Sequence, residues 1–393
     1  ENDTALLRNG GSTTIAPLTN DFDPSGGILV LQSVKTPPDS GVTVTVVDHS
    51  LLQISAASTV PANLTVEYTV TNGTSSATGK VAIVPVTQSQ PQPPVVTNDT
   101  AVVRAGDVVT ASVLDNDSSP AGLNLSVDSQ VSLVGDELGT AWVSENTVRF
   151  RAGNQPGRTS YAYTAKDDQG QTASGVLTVE VRAQDAEHNS APSPRNLEAR
   201  TLAGSTTNIT VPLDGIDPDG DSVSLVGLNQ APSLGSVEIN SSWLTYTPSE
   251  GATGTDTFTY VVEDRFGAQA TGTVRVGVAQ ASPLNVAPVA TDDLVVAKPG
   301  RTVAVDVLSN DLDTDGDSLS LEGDPVSSDP SLGVSTRAGR LVLDLPEKEG
   351  NHSVTYTVSD GRGGTDTGTV TVQVSSNAPL ANPVGVDDYV TVD

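Results

Sequence analysis

Two short loops in this chain place carboxylates on alternating residues around a glycine. One reads Asn310-Asp311-Leu312-Asp313-Thr314-Asp315-Gly316-Asp317, the other Asp214-Gly215-Ile216-Asp217-Pro218-Asp219-Gly220-Asp221. Calcium takes 6–8 oxygens from carboxylates and backbone carbonyls in flexible geometry, and a polar, glycine-bearing loop supplies that donor set. Asp311-x-Asp313-x-Asp315-Gly316 with Glu322 at the twelfth position matches the EF-hand loop, which requires a helix on either side. The flanks, Thr302 to Leu308 and Ser318 to Leu321, alternate as strands do. The EF-hand is therefore rejected and the calcium loop kept, with Glu322 too far along its strand to ligate. The competing reading is an ordinary turn, because Asp, Asn, Gly and Pro bond locally and tolerate positive φ.

Other chemistries find no support in the residues. His49, His188 and His352 are dispersed and share no position in any repeat, so neither a nucleophilic triad nor a zinc site assembles from them. Phosphate-cradling glycine loops that open a helix are absent. Paired carboxylates recurring in every unit argue for structure over catalysis, and the chain is expected not to be an enzyme. The formal net charge of -29 excludes nucleic acid as a partner, since neutralising phosphates needs Lys and Arg; it favours divalent cations and solubility. Trp142 and Trp243 are read as core residues, the alternative being exposed platforms that stack on sugars.

The elements that must position the acidic loops are short strands. Valine and threonine dominate, aromatics are 3%, and helical periodicity is missing. The chain has no cysteine, so packing or metal must hold it together, and no apolar run reaches the length of a membrane helix. It also has no methionine, which is expected of a segment cut from something longer. Self-similarity is the most informative feature. A Tyr-x-Val/Ala-x-Asp/Asn marker recurs at Tyr68, Tyr163, Tyr260 and Tyr356, spaced 95, 97 and 96 residues apart, and an acidic pair opens most repeats: Asn2-Asp3, Asn98-Asp99, Asp292-Asp293 and Asp387-Asp388, with Arg195-Asn196 in the third. Proline-bearing stretches separate the repeats and behave as semi-rigid spacers. The expected domains are 1–90, 96–184, 187–280 and 286–376, with the start of a fifth over 380–393. In the fourth, seven strand-like segments alternate with turn signals, from Leu294 to Lys298 through Thr369 to Val374, which predicts an all-β, seven-stranded immunoglobulin-like sandwich, repeated in tandem as an extended rod.

Asp217-Pro218-Asp219-Gly220-Asp221 followed by Phe258-Thr259-Tyr260-Val261-Val262-Glu263-Asp264, and the 310–317 loop followed by Tyr356-Thr357-Val358-Ser359-Asp360-Gly361, resemble the bacterial immunoglobulin-like and cadherin-like tandem repeats of large surface proteins and adhesins. The resemblance covers the whole chain and implies an extracellular stalk or adhesin, often calcium-dependent, without implying a ligand. In an immunoglobulin-type sandwich the B–C and F–G loops share one end, and in a head-to-tail string strand A begins there too. Asp292 and Asp293, the loop residues Asp311, Asp313, Asp315 and Asp317, and Asp360 are then expected to converge against the preceding linker. The third repeat offers Asp214, Asp217, Asp219, Asp221 and Asp264, with Arg195 at the pair position able to satisfy a carboxylate in place of metal. The first repeat keeps Asp21 and Asp23 and the second Asp115 and Asp117, but Ser, Gly, Pro and Ala follow; plain turns are expected there. The expected role is a cell-surface stalk, secreted and bacterial, whose joints calcium stiffens and whose partners are its own neighbouring repeats. The alternatives are an adhesive module for a cell-surface protein, a glycan or a second copy, and a carbohydrate-binding or spacer region of a secreted polysaccharide-degrading enzyme.

Overall fold

A computed structural model describes residues 1–86, 92–120, 122–283 and 285–378; the expected fifth repeat, including Asp387-Asp388, lies outside them. Within the described residues the chain forms four β-sandwiches of one design. In the fourth, a four-stranded sheet runs in the order Asp293–Ala297, Thr365–Val374, Gly350–Ser359, Ser320–Ser327, and a three-stranded sheet in the order Thr302–Val305, Arg340–Asp344, Gly333–Arg337. The first strand pairs parallel to the last and the remaining pairs are antiparallel. Alternation makes this work: along Thr365–Val374 the inward Val370, Val372 and Val374 are buried while Thr371 and Gln373 face out. The same order recurs over Asn2–Val86 and Leu197–Ala279, and over Asp99–Arg182 with one added two-residue strand, Ser132–Leu133.

The repeated tyrosine sits at the centre of each core. Tyr68, Tyr163, Tyr260 and Tyr356 are buried, and each pairs across the final hairpin with a glycine: Gly79, Gly175, Gly272 and Gly368. The ring lies over that glycine so closely that a Cβ there would fall 2.2–2.5 Å from it. Each hydroxyl reaches the entry of the first strand, donating to the carbonyls of Glu1, Thr97, Arg195 and Thr291 respectively. An aromatic body in the core with its polar tip satisfied ties the final hairpin to the first strand without a disulfide.

An extended rod would bring only chain neighbours into contact; here the first sandwich also touches the third and fourth. Val30 is buried with Leu202 and Ala279. The Ile28 N–H donates to Thr255 Oγ1 at 2.8 Å, Arg200 Nε to the Leu29 carbonyl at 2.7 Å, and Gln32 Nε2 to the Gln280 carbonyl at 2.7 Å. On its other side the Val46 N–H approaches the Thr314 carbonyl of the fourth sandwich at 3.4 Å. Ser25-Gly26-Gly27-Ile28 stands where the third and fourth repeats carry acids, and this small loop meets both apolar and polar groups of the third sandwich.

Candidate metal centres

The acidic residues of the repeats fall to two tasks, which the fourth repeat combines. One set serves the tyrosine. In the fourth sandwich Tyr356 Oη lies 3.0 Å from Asp293 Oδ2 and 3.3 Å from Asp311 Oδ1; burial pushes both carboxyls above their ordinary range. Tyr163 meets Asp99 and Asp117, and Tyr68 meets Asp3 and Asp21, in the same way. Asp293 and Asp311, expected to converge with the other acids of this pole, thus meet Tyr356 instead of grouping with Asp313, Asp315 and Asp317. Asp292 accepts the Thr369 N–H at 3.0 Å, as Asn98 and Asn196 accept Val176 and Thr273. Those contacts show that Asn196 is the counterpart of Asp292 and Leu197 the counterpart of Asp293, so the third repeat lost its acid at Leu197, and Arg195 aligns one residue earlier than the pair.

The second task falls to two triads, Asp217/Asp219/Asp221 and Asp313/Asp315/Asp317, whose carboxylate oxygens lie within 4.8 Å of one another. The two loops fold alike. Asp217 Oδ1 accepts the N–H groups of Asp219 and Asp221 at 2.9 and 3.1 Å; Asp313 Oδ1 accepts those of Asp315 and Asp317 at 2.9 and 3.2 Å. Gly220 and Gly316, at φ +82° and +78°, supply the left-handed residue that closes the turn. The linker enters identically: Ser190 N–H donates to Asp219 Oδ2 and Val286 N–H to Asp315 Oδ2, both at 2.8 Å, while Asn189 and Asn285 reach Asp264 and Asp360 at 2.6 and 2.5 Å. Asp264 and Asp360 therefore lie beside the triads, each also accepting two N–H groups of its own hairpin turn. Asp214 stands apart; its carboxyl turns to Thr110 of the second sandwich and burial raises its pKa.

The outer oxygens of the leading aspartates are what a cation would meet. Asp217 and Asp313 are each only 5% exposed, and Oδ2 of both is buried without a hydrogen-bond partner. A buried carboxylate oxygen left unpaired is costly, and three carboxylates this close repel one another. Burial, with Asp317 and Asp315 adding like charge, drives Asp313 up to about 6. Burial likewise raises Asp315, Asp217 and Asp221. Asp219 is held below its ordinary range in spite of burial, by the Ser190 N–H and by Arg104 and Arg182.

Guanidinium groups partly offset this charge, and the sequence did not reveal which. Arg195 contributes its carbonyl to Tyr260; the side chains that reach the third triad come from the second sandwich, Arg104 with Nε 3.1 Å from Asp221 Oδ2 and Arg182 with Nη1 3.5 Å from Asp219 Oδ1. In the fourth, Arg362 of the adjoining hairpin turn donates to Asp317 Oδ2 at 2.6 Å. Arg104 and the glycines under the tyrosines are the structural residues sequence reasoning missed. The glycines had a signal: a Thr/Ser-Gly-x-Val/Leu motif places its glycine 11 or 12 residues after each tyrosine, as at Thr271-Gly272-Thr273-Val274. Arg104 had none, because its partners lie in another sandwich. Neither tryptophan takes the expected core place, and Trp243 has the exposure that the alternative required. Trp142 is half-buried beneath Arg149, 5.9 Å from guanidinium to ring, and Trp243 is 40% exposed at the start of its strand.

Comparison with known proteins follows the repeat. A family described as "Bacterial Ig domain" matches four times, at residues 1–84, 91–180, 189–277 and 285–373. No curated protein sequence matches the chain. Among solved structures it is similar to the immunoglobulin domains 1–4 of Sidekick-1 (13% identity, 95% of this chain and 97% of that one, TM-score 0.30) and to Drosophila N-cadherin EC1-4 (13%, 96% and 99%, 0.23). It also resembles an endo-fucoidan hydrolase of glycoside hydrolase family 107 (16%, 72% of this chain, TM-score 0.23), of whose length it spans 44%.

Proposed function

Because the chain belongs to the bacterial immunoglobulin-like domain family, as four members in tandem, we propose that it is a non-catalytic stalk or adhesin segment of a bacterial cell-surface protein, with calcium bracing the entry to its fourth sandwich. The observation that carries this reading is the buried, unpartnered Oδ2 of Asp313 inside a three-carboxylate cluster. Asp313, Asp315 and Asp317 would hold the ion, with Asp360 beside them; it would supply charge neutralisation and tie the linker at Asn285–Val286 to the loop. The donors are all hard oxygens, as calcium requires. Support for a non-catalytic role is that every acid of the cluster is tied to loop backbone, linker or a neighbouring arginine.

The test is thermal unfolding of the chain with calcium and then with excess chelator, followed by small-angle scattering in both. The expected result is a higher melting transition and a changed, less variable particle with calcium, both lost in Asp313→Ala/Asp315→Ala. An unchanged transition and an unchanged scattering curve would reduce the triad to an ordinary turn. A second reading, adhesion to a protein surface, is favoured by Leu294 (69% exposed) and Val296, which face outward on the edge strand Asp293–Ala297. Replacing both by Thr and measuring self-association separates it from a plain stalk.

A further inference from the structure

We propose that Arg104 is a tethered cation that closes the joint between the second and third sandwiches without metal, so that the calcium dependence of the array lies chiefly at the entry to the fourth. The metal half of this statement rests on the reading above; the guanidinium half stands on contacts alone. Arg104 ends the strand Asp99–Arg104 and is 4% exposed. Its Nε lies 3.2 and 3.1 Å from the two oxygens of Asp221, Nη1 donates to the Ala183 carbonyl at 2.7 Å, and Nη2 is 3.6 Å from Asp219. The backbone joins in: Arg104 N–H donates to the Gly220 carbonyl at 2.8 Å. The approach is so close that a Cβ on Gly220 would fall 2.7 Å from the backbone of Val103. Arg182 adds Nη1 to the Pro218 carbonyl at 2.7 Å and to Asp219 Oδ1 at 3.5 Å, and an ion pair in the opposite sense, Arg265 to Asp107 at 2.6 Å, spans the same joint.

Guanidinium suits this position because it is always charged, weakly hydrated and planar, and so tolerates burial against carboxylates. It engages the oxygens of Asp219 and Asp221 that a calcium ion would share, and a second cation in the same pocket would be repelled. Ladder register shows why the next joint differs. Arg104 is paired with Arg182 at the base of the second sandwich; the corresponding pair in the third is Leu202 with Ala279. Leu202 and Ala279 therefore offer no cation to the fourth sandwich; among the described residues the guanidinium that reaches its triad is Arg362 of the fourth sandwich itself, which also donates to the Ser282 carbonyl of the linker.

The decisive variant is Arg104→Leu in the full chain, leucine being the third sandwich's own residue at this place. Hydrogen exchange in chelator is expected to show the 217–222 loop protected in the parent and at least 10-fold faster in the variant, with calcium restoring protection. Calorimetric titration in an Asp313→Asn background isolates the third triad, where calcium is expected to bind at least 10-fold more tightly once Arg104 is gone. Arg104→Lys keeps the charge but not the fork, and is expected to fall between; it serves also if the leucine variant does not fold. Unchanged exchange in chelator for both variants, or weaker calcium binding without Arg104, would overturn the proposal. A parent chain that binds no calcium at either triad would sink the calcium reading while leaving the chelator experiment to decide the guanidinium lock.

Discussion

The loops at 217–221 and 313–317 share a backbone, a leading aspartate with an orphaned oxygen and an asparagine-led linker, yet they are neutralised from different places. In the third sandwich the guanidinium arrives across a domain joint; in the fourth it comes from the next hairpin turn of the same sandwich. One loop is thereby tied to its neighbour, while the other keeps its three carboxylates against a single guanidinium of its own sandwich. On the proposed reading, identical local structure does not fix what a site does; the residues at the base of the preceding domain do, here Arg104 and Arg182 against Leu202 and Ala279.

The sharpest way to break this comparison is to remove what the two sandwiches have in common. Gly272→Ala and Gly368→Ala each force a methyl into the ring of a buried tyrosine, and each is expected to destabilise its own sandwich by about 3 kcal/mol, read as a lowered transition in domain-resolved hydrogen exchange. Equal losses would show that the cores are equivalent and that the difference resides at the loops; a much larger loss in one would show the opposite.

Proton linkage should then distinguish the triads. Asp313 titrates near 6 in the folded chain against about 4 when unfolded, so the folded form holds the proton more tightly. In chelator the fourth sandwich is expected to gain stability as pH falls from 7 through 6 towards 4, by up to about 3 kcal/mol, and to lose that gain as pH rises again. Saturating calcium should flatten this dependence and add about 3 kcal/mol at neutral pH when present at 100 times its dissociation constant. Denaturation at pH 5 and 7 with and without the ion checks both; a fourth sandwich less stable at pH 5 in chelator would contradict the burial of Asp313.

A smaller effect is expected from the contact that folds the first sandwich back. Val30→Asp places a charge against Leu202 and Ala279 and should release the first sandwich, increasing the radius of gyration while costing that domain's own fold about 1 kcal/mol. If scattering does not change, the first sandwich is held by the polar contacts at Ile28, Leu29 and Gln32 instead. Because Thr314 of the fourth loop lies against Val46, calcium titrations of this variant also reveal whether the neighbouring sandwich alters the triad.

Much of this molecule was legible in its sequence. The 95–97-residue spacing of the tyrosines, the alternation of valine with threonine and the proline-bearing spacers were enough to predict tandem all-β sandwiches, because strand periodicity and turn chemistry are local and each repeat restates them. The acidic loops were legible for the same reason: Asp-x-Asp-Gly-Asp folds into its turn through bonds spanning only two to four residues. Tertiary structure decided how the acids divide. Asp293 and Asp311 were drawn to Tyr356, some 63 and 45 residues away in sequence, while Asp313, Asp315 and Asp317 were left to face one another. It also decided that the third triad meets Arg104 from 117 residues before Asp221, not Arg195 from its own repeat, and that the first sandwich lies against the third. A charge takes the nearest opposite charge in space, and nearness across a domain joint is set by the packing of whole sandwiches, which no local pattern records.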